Sequence, residues 1–153
     1  MSNRKEKKRR KLSVPKVFSE FQKACLDIFQ FLRDDYGFEY IATDISGYEC
    51  SILFRAMPHI AIRVYYEVGG MPWVMITGRG GSPTNPNETK EMSLDSLIRK
   101  RCPKFAITKC EHEHGSDVEV RRILHQYADI LRTHGDDVLH GDSNKLAKIS
   151  DEA

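Results

Sequence analysis

The sequence predicts an α+β fold in which an antiparallel β-meander has helices packed on one face. Three patterns indicate this fold. Apolar residues recur at helical spacing over residues 17–36, alternate with polar residues over residues 48–77, and return to helical spacing over residues 117–135. Helices and strands of this kind bury their apolar sides against each other in two layers. A more open arrangement, with the last helix packed on a partner, is the alternative.

The first predicted helix has clear signals at both ends. Ser13 is a suitable N-cap, Pro15 suits the first helical turn, and Gly37 supplies a left-handed stop. Its apolar positions form one stripe: Val17, Phe18, Phe21, Ala24, Cys25, Ile28, Phe29, Leu32 and Tyr36.

Strands are predicted next, because the period of the apolar pattern falls to two. Residues 48–56 and 60–68 predict two paired strands. Gly69-Gly70 is a hairpin signal, and a third strand follows over residues 71–77. Residues 38–43 are a candidate additional strand at the start of the meander.

A loop and a short helix follow the strands. Residues 78–89 are rich in Gly, Pro, Asn and Ser, and predict a mobile surface loop. Ser93 is placed to cap a short helix, which must end near Cys102 because Pro103 disfavours helical backbone in the residue before it.

The last predicted helix is long and amphipathic. It begins at Asp117, a good cap and first-turn acid, and ends around Gly135, and the last residues of the chain are expected to fray. Its apolar stripe contains Val120, Ile123, Leu124, Tyr127, Ile130 and Leu131.

Charge is distributed unevenly along the chain. Residues 1–16 contain eight Lys or Arg and one acidic residue, whereas residues 17–153 contain sixteen basic and twenty-one acidic residues. A charged segment with little apolar surface cannot offset the entropy lost on ordering. We therefore expect a disordered basic arm over residues 1–13, a single α+β domain over residues 14–143, and a frayed tail over residues 144–153.

The sequence favours a cytoplasmic protein. No stretch approaches the roughly 18 apolar residues of a membrane span, and no signal-peptide apolar run follows the basic start. The cysteines lack the dense spacing of a secreted disulfide scaffold, so we expect reduced thiols. They are Cys25, Cys50, Cys102 and Cys110.

One group of residues has the composition of a metal site. Four nitrogen or sulfur donors lie within thirteen residues: Cys102, Cys110, His112 and His114. In an extended segment the last three would share one face, but at about 7 Å spacing they are too far apart for adjacent tetrahedral positions. We therefore expect no bound metal, and nothing in the sequence calls for a cofactor.

Catalytic signatures are weak. The segment Gly78–Ser82 lacks the Gly-Lys-Ser/Thr ending and the following helix of a phosphate-binding loop. Possible acid–base residues crowd the polar end of the last helix, where a solvated surface is expected: His125, His134, His140, Asp136, Asp137 and Asp142. No Ser or Cys stands in a nucleophile elbow. The prediction is that the protein is not an enzyme.

Three stretches together resemble a family of small bacterial α+β proteins. They are Arg63–Glu67, Ser93–Pro103 and Tyr127–Asp142, and the similarity spans residues 14–143. Such proteins resemble the immunity partners of toxins in general shape. The resemblance implies an α+β domain and an inhibitor of another protein.

The polar positions of the alternating strands suggest a binding surface. Arg55, Arg63, Tyr65 and Trp73 are of types enriched in protein interfaces and their hot spots. The alternative is that they pack beneath the 78–89 loop or form cross-strand pairs. We interpret the protein as a non-enzymatic protein-binding module, an immunity-like or regulatory inhibitor, whose acidic body suits a basic partner.

Nucleic-acid binding is the competing hypothesis. In it the arm would contact phosphates, and Tyr65 or Trp73 would stack on bases. The acidic remainder of the chain argues against this function. The arm residues concerned are Lys5, Lys7, Lys8, Arg9, Arg10 and Lys11.

Overall fold

A computed structural model of the protein describes residues 16–56, 60–79, 89–101 and 117–140. Within these residues, five helices pack against a five-stranded antiparallel sheet, which confirms the predicted α+β meander. The predictions for the basic arm, the Ser13 cap, the C-terminal tail and the four donors between Cys102 and His114 lie outside the described residues.

The N-terminal helical region consists of two helices rather than one. Helix α1 covers residues 16–28 and α2 covers Gln30–Tyr36. At Phe29 the backbone leaves helical geometry, with φ −95° and ψ 14°. The apolar stripe continues through this break, so periodicity alone does not reveal it. Gly37 has φ 72° and donates its N–H to the Leu32 carbonyl, which confirms the left-handed stop.

The sheet has the order β1-β2-β3-β4-β5, and every neighbouring pair is antiparallel. The strands are β1 (Glu39–Ser46), β2 (Glu49–Ala56), β3 (Ile60–Glu67), β4 (Trp73–Arg79) and β5 (Thr89–Ser93). The first strand is therefore real and longer than predicted. The β1–β2 pairing contains a register shift between Tyr40 and Ala42, typical of a β-bulge.

The loop prediction for residues 78–89 is wrong at both ends. Gly78 pairs with Lys90 and Arg79 with Thr89, so these residues continue β4 and β5, while residues 80–88 lie outside the described part. Strand β5 was not predicted, because five residues with one large apolar side chain, Met92, give too short an alternation to detect.

The hydrophobic core lies between one sheet face, the inner face, and the helices. Phe21 of α1 contacts Tyr66 of β3 at 5.1 Å between ring centroids, and Phe29 contacts Phe54 of β2 at 6.2 Å. Leu53 is also buried, yet it lies outside this core cluster because it points to the opposite face. The prediction that the helices cover one face is confirmed. Inner-face residues include Cys50, Ile52, Phe54, Ile60, Ile62, Val64, Tyr66, Val74 and Ile76.

Helix α3 spans Leu94–Arg101 and begins as predicted. The Ser93 hydroxyl accepts a hydrogen bond from the Ser96 N–H at 3.1 Å, which confirms the N-cap. Helix α4 spans Asp117–His134 and ends before Gly135, also as predicted.

The polar end of the last helix was expected to be frayed, and the four residues after Gly135 are instead ordered. Asp136–Leu139 form a short helix, α5. Val138 and Leu139 are each only 1% exposed and belong to the core, so burial of two apolar side chains holds this helix in place.

Candidate functional site

The sheet face opposite the helices, hereafter the outer face, is built by strand alternation and register. Side chains at directly paired positions lie on the same face. The outer face therefore contains four rows: Glu39–Arg55–Ala61–Thr77–Glu91, Ala42–Leu53–Arg63–Met75–Ser93, Asp44–Ser51–Tyr65–Trp73 and Ser46–Glu49–Glu67. All four residues predicted to bind a partner lie on this face.

An aromatic pair stands at the end of one row. Tyr65 and Trp73 are direct partners on β3 and β4, and their rings stack with centroids 5.0 Å apart and planes 4° from parallel. Both side chains are half-buried. The stack is thus a cross-strand pair, as the alternative interpretation required, and still presents aromatic surface to solvent.

Arg63 completes this cluster, and Arg55 does not. The Arg63 guanidinium carbon is 6.0 Å from the Tyr65 ring centroid. Arg55 pairs with Ala61, four residues along β3 from Tyr65, which corresponds to about 13 Å. The structure therefore brings together three of the four predicted residues and leaves Arg55 at the far end of the face, opposite Glu39.

Asp44 is a member of the cluster that the sequence did not reveal. Its carboxylate lies 3.5 Å from the Arg63 guanidinium, and the two side chains are 67% and 33% exposed. The candidate strand was predicted to end at residue 43, one position short. Continuing the alternation by one residue would not have been enough, because the register shift in β1 decides that Asp44 pairs with Ser51, one row away from Arg63.

The outer face is predominantly acidic. Its residues with described side chains include five carboxylates and two cationic groups, Arg55 and Arg63. Glu49 and Glu67 are directly opposed on β2 and β3, and both are exposed. Like charges in directly opposed positions destabilise a sheet unless a countercharge is near. The carboxylates belong to Glu39, Asp44, Glu49, Glu67 and Glu91.

The described cysteines are unsuited to nucleophilic or metal chemistry. Cys25 and Cys50 are free, fully buried thiols on the helix side of the sheet. Burial raises the pKa of Cys50 to about 11 and raises that of Cys25 well above its usual range, so both are protonated at neutral pH. Among the described residues, no three His, Cys, Asp or Glu side chains are grouped as metal ligands would be.

A cavity of about 290 Å³ lies on the helix side, between α1, β3 and α4. Its walls are mainly apolar, and Glu20 and Arg121 supply charged groups. The volume is at the lower limit of small-ligand sites. The remaining lining residues are Val17, Phe21, Ala24, Tyr66 and Val120. None of the predicted site residues lines this cavity.

A second polar cluster, hereafter the C-terminal clamp, consists of Tyr36, Arg101, Asp136, Asp137 and His140. Arg101 forms a two-pronged pair with Asp137 at 2.6 and 2.8 Å and donates a further hydrogen bond to the His134 carbonyl at 2.6 Å. The Tyr36 hydroxyl donates to Asp136 at 2.6 Å.

These contacts correct the expectation that the acidic and histidine residues after Gly135 are simply solvated. Asp136 and Asp137 are held by α2 and α3, and the His140 ring contacts the Tyr36 ring at 5.0 Å. His125 is exposed, as expected, and Asp142 lies outside the described residues. The clamp fastens helices to one another and contains no Ser or Cys that could act as a nucleophile.

Comparison with protein-family models, curated proteins and solved structures found no match. Among the described residues, no helix is long and apolar enough to cross a membrane.

Proposed function

We propose that the protein is a cytoplasmic, non-enzymatic binding module that recognises another protein through the outer face. The observation that carries the proposal is the Tyr65–Trp73 stack with Arg63 beside it, on the sheet face that the described helices leave uncovered. Aromatic and arginine side chains dominate binding hot spots because they provide large, rigid contact areas and directional hydrogen bonds.

The chemistry of the outer face supports a protein partner over a nucleic acid. If Tyr65 and Trp73 stacked on the bases of a nucleic acid, the five carboxylates of the outer face would repel its phosphates. An acidic surface instead speeds encounter with a basic protein. An inhibitor that covers a basic partner, as an immunity-like protein would, is consistent with this charge.

Partner capture from the native host tests the proposal. The Tyr65→Ala/Trp73→Ala variant should lose the captured protein, because truncating hot-spot residues costs roughly 2 kcal/mol or more each. The Val118→Ala/His125→Ala variant is the matched control, since both residues are exposed on α4, away from the outer face. It should keep the partner. The comparison requires that both variants are folded, which is checked by urea unfolding midpoints equal to that of the wild type.

A chain that starts at Ser13 tests the nucleic-acid alternative. If this chain loses its partner while the Tyr65→Ala/Trp73→Ala variant keeps it, the basic arm is the binding element and the proposal is wrong. Binding through the arm would also weaken steeply with salt, by about 0.9 log units of affinity per neutralised duplex phosphate for each log unit of salt.

A further inference from the structure

We propose that the outer face recognises an arginine-bearing, cationic segment of its partner, with one guanidinium group seated beside Trp73 and another beside the opposed Glu49 and Glu67. This inference rests on the proposed function and specifies its partner chemistry. It follows from the shape of the aromatic pair and from the charges around it.

Within the described strands, Trp73 has a cross-strand neighbour on one side only. One face of its ring is stacked on Tyr65. On the other side, the β4–β5 pairing begins only at Met75 and Ser93, so no β5 residue stands opposite Trp73. A planar guanidinium stacks on an aromatic face, and Trp gives the strongest such contact. The described part of the protein already contains this interaction twice, with Arg63 near Tyr65 and Arg132 over Phe31.

The carboxylates supply the complementary charge. Glu67 lies two residues beyond Tyr65 on the same side of β3, about 7 Å along the strand. Glu49 is directly opposite Glu67, and both side chains are exposed. Since the two negative charges disfavour each other, a cation from a partner would relieve that repulsion as well as form its own ion pairs.

Other partner chemistries fit this surface less well. A phosphate would meet carboxylates, and an apolar segment would remove them from water without a countercharge, which is costly. A lysine would satisfy the charge, but its compact ammonium lacks the flat group that stacks on a ring. The structure therefore favours arginine.

Trp73 makes a direct test practical, because it is the only tryptophan in the chain and its fluorescence reports on this position. The full chain is titrated with a short Gly/Ser peptide that carries two arginines. The matched peptide replaces arginine by citrulline, which keeps the planar shape and removes the charge, and a third peptide carries lysine. We expect the arginine peptide to bind roughly ten times more tightly than the citrulline peptide and several times more tightly than the lysine peptide.

Charge-neutralising variants locate the effect. Glu49→Gln/Glu67→Gln should weaken the arginine peptide about fivefold and leave the citrulline peptide unchanged. Asp34→Asn/Asp35→Asn is the matched control, since it removes two exposed carboxylates from α2 instead. It should have less than a twofold effect at physiological salt, where distant charges are screened.

Two results would overturn the inference. One is equal affinity for the arginine and citrulline peptides, or no saturable fluorescence change up to on the order of 10 mM peptide. The other is equal weakening by the two double variants. If either occurs while Tyr65→Ala/Trp73→Ala still loses the host protein, the outer face binds a partner of different chemistry and the proposed function survives. If that variant keeps the host protein, both proposals fail.

Discussion

The outer face and the C-terminal clamp use the same residue types for opposite purposes. Each contains an arginine, an aspartate partner and an aromatic ring. In the clamp, Arg101 and Asp137 meet through two short hydrogen bonds, with side chains only 26% and 24% exposed. On the outer face, Arg63 and Asp44 meet once, at 3.5 Å, and Asp44 is mostly exposed.

This difference shows where the fold needs its charges. The clamp holds its arginine with three hydrogen bonds and fastens α5 to α3, as a structural contact should. The outer face holds its arginine loosely, so Arg63 can exchange Asp44 for a partner at little cost. Substitutions in the clamp should therefore lower the free energy of unfolding more than substitutions on the outer face, although the two regions contain the same residue types.

Breaking the clamp pair should give the largest effect. We expect Arg101→Ala to lower the free energy of unfolding by about 2 to 3 kcal/mol, because it removes three hydrogen bonds and leaves the Asp137 carboxylate in a partly buried site. Urea denaturation monitored by circular dichroism measures this. A loss below about 0.5 kcal/mol, typical of a surface ion pair, would erase the distinction between the two regions.

Adding one methyl group at Gly135, where α4 turns into α5, should have the next largest effect. A Cβ built there lies 2.9 Å from the Leu131 carbonyl oxygen, so the backbone must shift and carry Asp136 and Asp137 with it. We expect Gly135→Ala to cost about 1 to 2 kcal/mol. The cost should be less than additive with that of Arg101→Ala, since both disturb one contact, and strict additivity in the double variant would argue against a shared clamp.

Tyr36 should contribute a smaller, pH-dependent part of the clamp. Partial burial and then the hydrogen bond to Asp136 raise the pKa of Tyr36 from about 10 to about 12. A raised pKa means that the fold favours the protonated phenol, so this contribution is complete below pH 10 and is lost as the pH rises towards 12.

The Tyr36→Phe variant makes this contribution measurable. It should be about 1 kcal/mol less stable than the wild type at pH 8, and this difference should shrink between pH 10 and 12. Urea titrations of both proteins across that range are sufficient. A difference that grows with pH would mean that the phenolate, and not the phenol, is favoured in the folded protein.

The outer-face pair should have the smallest effect on stability. Arg63→Ala and Asp44→Asn should each change the free energy of unfolding by less than about 0.5 kcal/mol, because the pair is exposed and makes one long contact. A coupling energy above about 1 kcal/mol in the double-variant cycle would show that Arg63 is held as firmly as Arg101 and is not available to a partner.

The sequence could predict the helices and strands whose apolar residues recur at a regular spacing along the chain. The apolar stripe of α4 and the alternation of β2 and β3 needed no knowledge of distant residues, and the same alternation placed Arg63, Tyr65 and Trp73 on one face. The Ser93 cap likewise depends on a residue only three positions away.

The parts that the sequence could not predict depend on distant contacts. Helix α5 has a polar sequence signal, and becomes ordered because Val138 and Leu139 are buried in the core and Arg101, thirty-six residues before Asp137, binds it. The role of Asp44 depends on a register shift in β1 that no pattern in the sequence announces. Both misses occurred where side chains from different elements decide the local structure.

The bulge in β1 should also affect how the protein behaves at high concentration. In the described sheet, β1 pairs on one side only, so its other edge presents backbone donors and acceptors, and the nearby Ile45 and Tyr48 are 61% and 68% exposed. Such an edge would readily template assembly of one molecule onto the next. The extra residue between Tyr40 and Ala42 interrupts the regular spacing of those backbone groups, and Asp44 adds a charge beside them. A second strand could therefore match only part of this edge, and we expect this mismatch to discourage aggregation.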